Sequence, residues 1–109
     1  MTKKQKIKNY NKIRFLIHEE AFKDSDRFIC PGCERTHYEA FWTLDHIEKR
    51  SQSMYWYDKP ENLSPLCHNC NIMRESKGDN YLKNVAFYRQ RQQELKDIYN
   101  NLTLEQKKE

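Results

Sequence analysis

The sequence predicts a small α+β domain stapled by a metal ion, flanked by an N-terminal helix and a long C-terminal helix. Three observations lead there. Four cysteines form two Cys-x-x-Cys pairs, Cys30/Cys33 and Cys67/Cys70; short apolar runs of strand-like composition lie beside them; and both ends of the 109-residue chain carry helical periodicity. A chain of this length fits one domain, expected here as a core over 27–78 with helical flanks over 3–22 and 79–102. Hydrophobic residues make up 37% and charged residues 33%, so the apolar core is thin and needs a further staple, which the cysteines can supply.

Residues 3–22 read as a helix because Ile7, Tyr10, Ile13, Ile17 and Ala21 recur three or four apart, with Thr2 and Gln5 in capping-box register. Asp24-Ser25-Asp26 breaks that pattern. Arg27 to Cys30 then leads into the turn Cys30-Pro31-Gly32-Cys33, and Phe41 to Ile47 is a second apolar, aromatic run. The two are read as a β-hairpin carrying a metal knuckle, with Gly32 placed where the knuckle turns tightly. Residues 48–61 are polar without a clear period and read as a loop punctuated by Pro60. Inside it, Met54, Tyr55, Trp56 and Tyr57 form an aromatic run that either fills the core or offers Trp56 to stack on a base. Cys67 to Lys77 reads as a short helix closed by a left-handed cap at Gly78. From Asp79 onward Tyr81, Val85, Tyr88, Gln92, Leu95, Tyr99 and Leu102 form a heptad seam, which predicts packing on the first helix or pairing with a second copy of the chain.

No stretch approaches the roughly 20 apolar residues of a membrane span, and the first fifty residues lack a signal-like apolar run. The default is therefore a reducing cytoplasm, with no membrane partner. In that compartment paired Cys-x-x-Cys motifs serve as metal ligands more often than as disulfides. Net charge is +4, with Lys3, Lys4, Lys6, Lys8, Lys12 and Arg14 gathered in the first fourteen residues without an acid. Such a cluster suits either a phosphate-contacting arm or a solvated helix face.

Two Cys-x-x-Cys knuckles supply the four thiolates of a tetrahedral zinc shell. Four protein ligands leave no open coordination position, so Zn²⁺ here is expected to be structural, clamping the hairpin to the helix that starts near Cys67. His68 lies inside the second knuckle, but four thiolates already complete the shell.

Between and beside the knuckles stand Asp45-His46 in WTLDHIEKR, Asn62 in PENLSPLC, and Asn71 in CHNCNIMRESKG. With these residues, the stretch from Cys30 to Gly78 resembles the HNH (ββα-metal, treble-clef) endonuclease family, in the family's order and approximate spacing. Asn71 stands where the family often has a third signature His, giving an H-N-N pattern. The resemblance implies hydrolysis of DNA phosphodiesters, double-stranded DNA foremost, with His46 as general base and Asn62 fixing the loop and orienting the imidazole. It implies that Asp45 and Asn71 hold a catalytic Mg²⁺ or Mn²⁺, hard cations suited to a carboxylate and an amide oxygen. The implied products are a 5′-phosphate and a 3′-hydroxyl. If the second knuckle continues as a helix, Arg74 shares the face of Asn71 and Lys77 follows within two turns, so both are expected to grip neighbouring phosphates. Glu75 is best explained by an ion pair, and His37 is a further candidate for the scissile phosphate. A double-strand cutter with one site commonly needs two copies, which makes a homodimer through the C-terminal helix part of this reading. Two other readings stay open: a non-catalytic zinc-containing DNA-binding module, and an interaction adaptor built on the heptad seam.

Overall fold

A computed structural model describes residues 2–49, 54–78 and 82–108. Helix α1 spans Lys3–Phe22, opened by the expected capping box: Gln5 N–H donates to the Thr2 hydroxyl and Thr2 N–H to the Gln5 side chain. Four strands follow, β1 (Arg27–Ile29), β2 (Thr36–Tyr38), β3 (Trp42–His46) and β4 (Leu63–Cys67). Helix α2 (His68–Lys77) continues directly from β4, and α3 (Val85–Asn100) and the short α4 (Leu104–Lys107) complete the chain. The expected long helix thus begins at Val85; residues 79–81, including Tyr81 of its seam, lie outside the described residues, as do 50–53 of the expected loop.

The strand partners differ from the sequence expectation. Arg27–Ile29 pairs with Thr36–Tyr38, antiparallel, around the first knuckle, while Trp42–His46 pairs with Leu63–Cys67 in a separate two-stranded sheet. The register sets Trp42 opposite Cys67 and His46 opposite Leu63. The strand bearing Asp45-His46 is therefore held by the strand that delivers the second knuckle. Two turns of 3₁₀ helix, Met54–Trp56 and Pro60–Asn62, occupy the described part of the intervening loop.

Side chains alternate across a strand, and the β3–β4 pair uses both faces. On one face Trp42, Leu44 and Leu63 pack with Tyr10, Ile13, Ile17 and Phe22 of α1. On the other, Ile47 and Leu66 join Cys30, Cys67, Cys70, Trp56, Leu82, Tyr88 and Leu95. The heptad seam of α3 therefore packs on the knuckle side of the sheet, with Tyr88 and Leu95 buried there, rather than on α1. The inward stripe of α1 also differs from the expected one: Lys6 is buried at its head and Phe22, not the exposed Ala21, completes it.

The two glycines have distinct reasons. A Cβ on Gly32 would meet Leu66 Cδ2 at 2.9 Å and Leu82 Cδ2 at 3.0 Å, so close packing demands glycine there, whereas the positive φ of the knuckle falls on Glu34 (φ 63°). Gly78 ends α2 at φ 87° and ψ 177°, a positive-φ cap outside the left-handed helical region; its N–H donates to the Arg74 carbonyl.

Candidate active site and metal centre

The thiols of Cys30, Cys33, Cys67 and Cys70 all lie within 4.8 Å of one another, and none is in a disulfide. Cys33 Sγ and Cys67 Sγ are 4.0 Å apart, close to the roughly 3.8 Å edge of a tetrahedron with Zn–S bonds of about 2.3 Å. The four are placed to hold a metal ion such as zinc. Burial opposes the Cys30 thiolate, but N–H groups aimed at its sulfur, that of Cys67 foremost at 3.3 Å, outweigh burial and bring its pKa below the usual thiol value. Burial drives the thiols of Cys67 and Cys70 the other way, and a cation held between them would oppose that shift. His37 Nε2 lies 3.3 Å from Cys33 Sγ and its ring packs on Phe28. It supports the first knuckle and is not placed as a phosphate contact.

Asp45 projects from β3 onto the sheet face that α2 covers, and two residues earlier on that face Thr43 Oγ1 accepts a 3.0 Å hydrogen bond from Asn71 Nδ2. Asn71 stands one peptide beyond the thiol of Cys70, so the knuckle positions it. One helical turn on, Arg74 is 3% exposed. Its guanidinium pairs with the Asp45 carboxylate, donates at 2.8 Å to each of the His46 and Ile47 carbonyls, and lies over the Tyr88 ring. The expectation that Arg74 grips phosphates is thus corrected: the face it shares with Asn71 looks at the sheet, and its charge is used within the protein. Lys49 Nζ reaches Asp45 Oδ1 at 3.9 Å and pairs with Glu75, which accounts for that carboxylate as an ion-pair partner. Asp45 is itself 5% exposed, and burial lifts its carboxyl above the usual range despite both cations. A carboxylate and an amide oxygen on one face are a donor set suited to a hard divalent cation.

His46 projects to the opposite face of β3. Its Nε2 lies 2.9 Å from the Tyr57 carbonyl, and because a carbonyl only accepts, Nε2 carries the proton and Nδ1 is the basic nitrogen of the neutral ring. The ring stacks on Tyr57 at 4.9 Å and 16°, and Tyr10 of α1 approaches at 5.1 Å. Asn62, wholly buried, ties the loop in place: its Oδ1 accepts from Glu48 N–H at 2.7 Å, and its Nδ2 donates to the Glu48 and Trp56 carbonyls at 3.1 and 3.0 Å.

Residues 30–77 match the HNH endonuclease family model. The match covers a little under half of the chain and contains both knuckles, Asp45-His46, Asn62 and Asn71. No curated protein and no solved structure gives a significant match to the chain. Within the matched segment Lys77 is exposed near the end of α2, His68 is exposed at the start of that helix, and Trp56 is buried in the core. His18 lies outside the segment and pairs with Glu39 at 3.0 Å.

Four participants escaped the sequence reading. Thr43 and the Tyr57 carbonyl hold Asn71 and His46 through contacts that no motif marks. Lys6 and Tyr10 of α1 reach the loop and the imidazole. The available signal for Lys6 was its place on the stripe of Tyr10, Ile13 and Ile17, where a lysine needs a buried partner.

Proposed function

We propose that the HNH segment cuts DNA phosphodiester bonds in a divalent-metal-dependent reaction, with His46 as general base. The observation that carries this reading is the fixed imidazole: with Nε2–H committed to the Tyr57 carbonyl, Nδ1 takes the proton from the attacking water. Asn62 acts through the loop, holding the Glu48 and Trp56 carbonyls on the stretch that leads into Tyr57. Asp45 and Asn71 would hold Mg²⁺ or Mn²⁺, which when bound supplies positive charge for the departing oxygen. Zn²⁺ at the four thiols is structural in this reading, since they complete its shell. Phosphates flanking the cut would meet Lys77, exposed near the end of α2.

No helix of the described residues is long and apolar enough to cross a membrane, and we place the protein in the cytoplasm, where free thiols persist to hold metal. Because Tyr88 and Leu95 face the core, a homodimer through the C-terminal region would use Phe87, Ile98 and Leu104, which stay exposed; sizing the protein with and without DNA reads this directly.

One observation favours the rival, a non-catalytic DNA-binding module: Arg74 already neutralises the carboxylate that the catalytic metal would need. Plasmid digestion separates the two. Cutting by the parent in Mg²⁺, absent in metal-free buffer and in His46→Ala, supports the nuclease. Binding at low salt with no cutting in Mg²⁺ or Mn²⁺ supports the rival.

A further inference from the structure

Helix α1 precedes the matched segment, yet it closes on the site through a buried polar contact. Asp58 accepts from Lys6 Nζ at 3.3 Å through Oδ1 and from Asn9 Nδ2 at 2.9 Å through Oδ2. The side chains of Lys6 and Asp58 are 5% and 3% exposed. Desolvating a lysine and an aspartate costs about as much as their attraction returns, so such a pair is poorly explained by stability alone; what it does fix is geometry.

The geometry it fixes is that of the Tyr57–Asp58 peptide. Asp58 follows Tyr57 directly, and the carbonyl of that peptide is the one that orients His46. Asn62 holds the Trp56 carbonyl, one residue before that unit. From the other side α1 meets that unit twice: Lys6 and Asn9 on the Asp58 carboxylate, and Tyr10 against the Tyr57 ring at 5.0 Å. Lys6, Asn9 and Tyr10 fall three and four apart along one helix face, so a single rigid surface makes all these contacts and also touches the imidazole.

We infer that α1 is a positioning element of the active site, in which a latch of Lys6, Asn9 and Asp58 holds the Tyr57 carbonyl where it fixes the His46 ring and its tautomer. The inference rests on reading His46 as the general base. Lys6, Asn9 and Asp58 are positioning residues, acting on the imidazole through one peptide unit.

The test compares the full chain with Lys6→Met and Lys6→Arg, reading the His46 ring nitrogens by long-range ¹H–¹⁵N NMR and DNA cleavage at saturating substrate. In Lys6→Met the Nε2–H tautomer gives way to averaged nitrogen shifts, and kcat falls on the order of a hundredfold while KM stays within about twofold. Lys6→Arg restores both. A folded Lys6→Met with the parent's nitrogen shifts and kcat overturns the inference, as does a Lys6→Arg that fails to rescue. If Lys6→Met does not fold, Asn9→Ala, which removes one of the two bonds to Asp58, is judged by the same two readouts. Should the parent cut no DNA, the nuclease reading fails, and the nitrogen shifts alone decide whether the latch orients the ring.

Discussion

Replacing Arg74 with alanine should unfold much of what the zinc-free part of the core contributes, and the structure sets the size of the effect. The guanidinium satisfies a buried carboxylate on Asp45 and two main-chain carbonyls, those of His46 and Ile47, while its flat face covers Tyr88. Removing one partner of a buried ion pair costs about 3–5 kcal/mol, because the other charge stays behind without compensation. Against a typical stability of about 5–15 kcal/mol, that is a large share. A surface arginine used for phosphates would behave differently: its loss would leave stability within about 0.5 kcal/mol and lower the salt dependence of DNA affinity by about one counterion. Urea unfolding of the zinc-loaded protein, followed by far-ultraviolet circular dichroism, separates the two. We expect a lower midpoint with little change in slope, and partial recovery in the double variant Arg74→Met/Asp45→Asn, which leaves no orphaned charge. An unchanged midpoint together with a weakened salt dependence of DNA binding would refute the assignment of Arg74 to the interior.

Stripping zinc with a chelator should unfold the domain outright, since binding at a four-thiolate site contributes about 10–16 kcal/mol in small zinc modules, as much as a whole domain's stability; a chelated protein with zinc lost by mass spectrometry and an unchanged melting curve would contradict this. Trp56→Ala should lower stability by about 3–5 kcal/mol, as loss of a buried indole does, with DNA affinity unchanged; a stable variant with weakened binding would instead place Trp56 on the substrate. Acid should release α1. Burial pushes Asp58 up, but the Asn9 hydrogen bond and the Lys6 charge outweigh it and hold the folded carboxyl below the usual range, so its stabilisation is present above about pH 4 and fades as pH falls through the folded value. Asp45 has the opposite shift and the opposite slope, weakening stability as pH rises from about 4 toward its raised folded value. Below about pH 4 urea midpoints should therefore decline less steeply in Asp58→Asn than in the parent, Glu75 sharing the depressed carboxyl, and equal slopes would argue against the latch carboxylate being ionised.

The sequence was legible where a motif is written into local spacing. The Cys-x-x-Cys pairs, Asp45-His46 and Asn62 announce themselves because each needs a fixed register along the chain, and α1 announces itself because its cap and stripe are local. Strand partners were not legible. Arg27–Ile29 and Trp42–His46 have similar composition, and nothing local shows that the second pairs with residues 63–67 beyond a long loop. The partner of the C-terminal seam was hidden for the same reason: heptad spacing defines a face, and only the tertiary fold decides what covers it. Arg74 illustrates the limit sharply. Its helical register with Asn71 was readable, but whether that shared face looks at solvent or at a sheet depends on the placement of β3.

That placement also explains why the supporting residues are spread so widely in sequence. Asp45 and His46 are neighbours on one strand, so their side chains leave on opposite faces, and no single element can support both. The face of Asp45 is closed by α2, which the thiol cluster anchors through Cys67 and Cys70. The face of His46 is closed by α1 and by the loop that Asn62 ties. A metal-held staple can serve the first face because α2 grows directly out of the knuckle. It cannot reach the second, where the chain relies on helix packing, three ring contacts among Tyr10, His46 and Tyr57, and one buried ion pair. In the metal-loaded protein, substitutions that loosen α2 should therefore disorder the Asp45 side first, and substitutions that loosen α1 the His46 side, so the two supports should be separable by mutation even though both converge on one strand end.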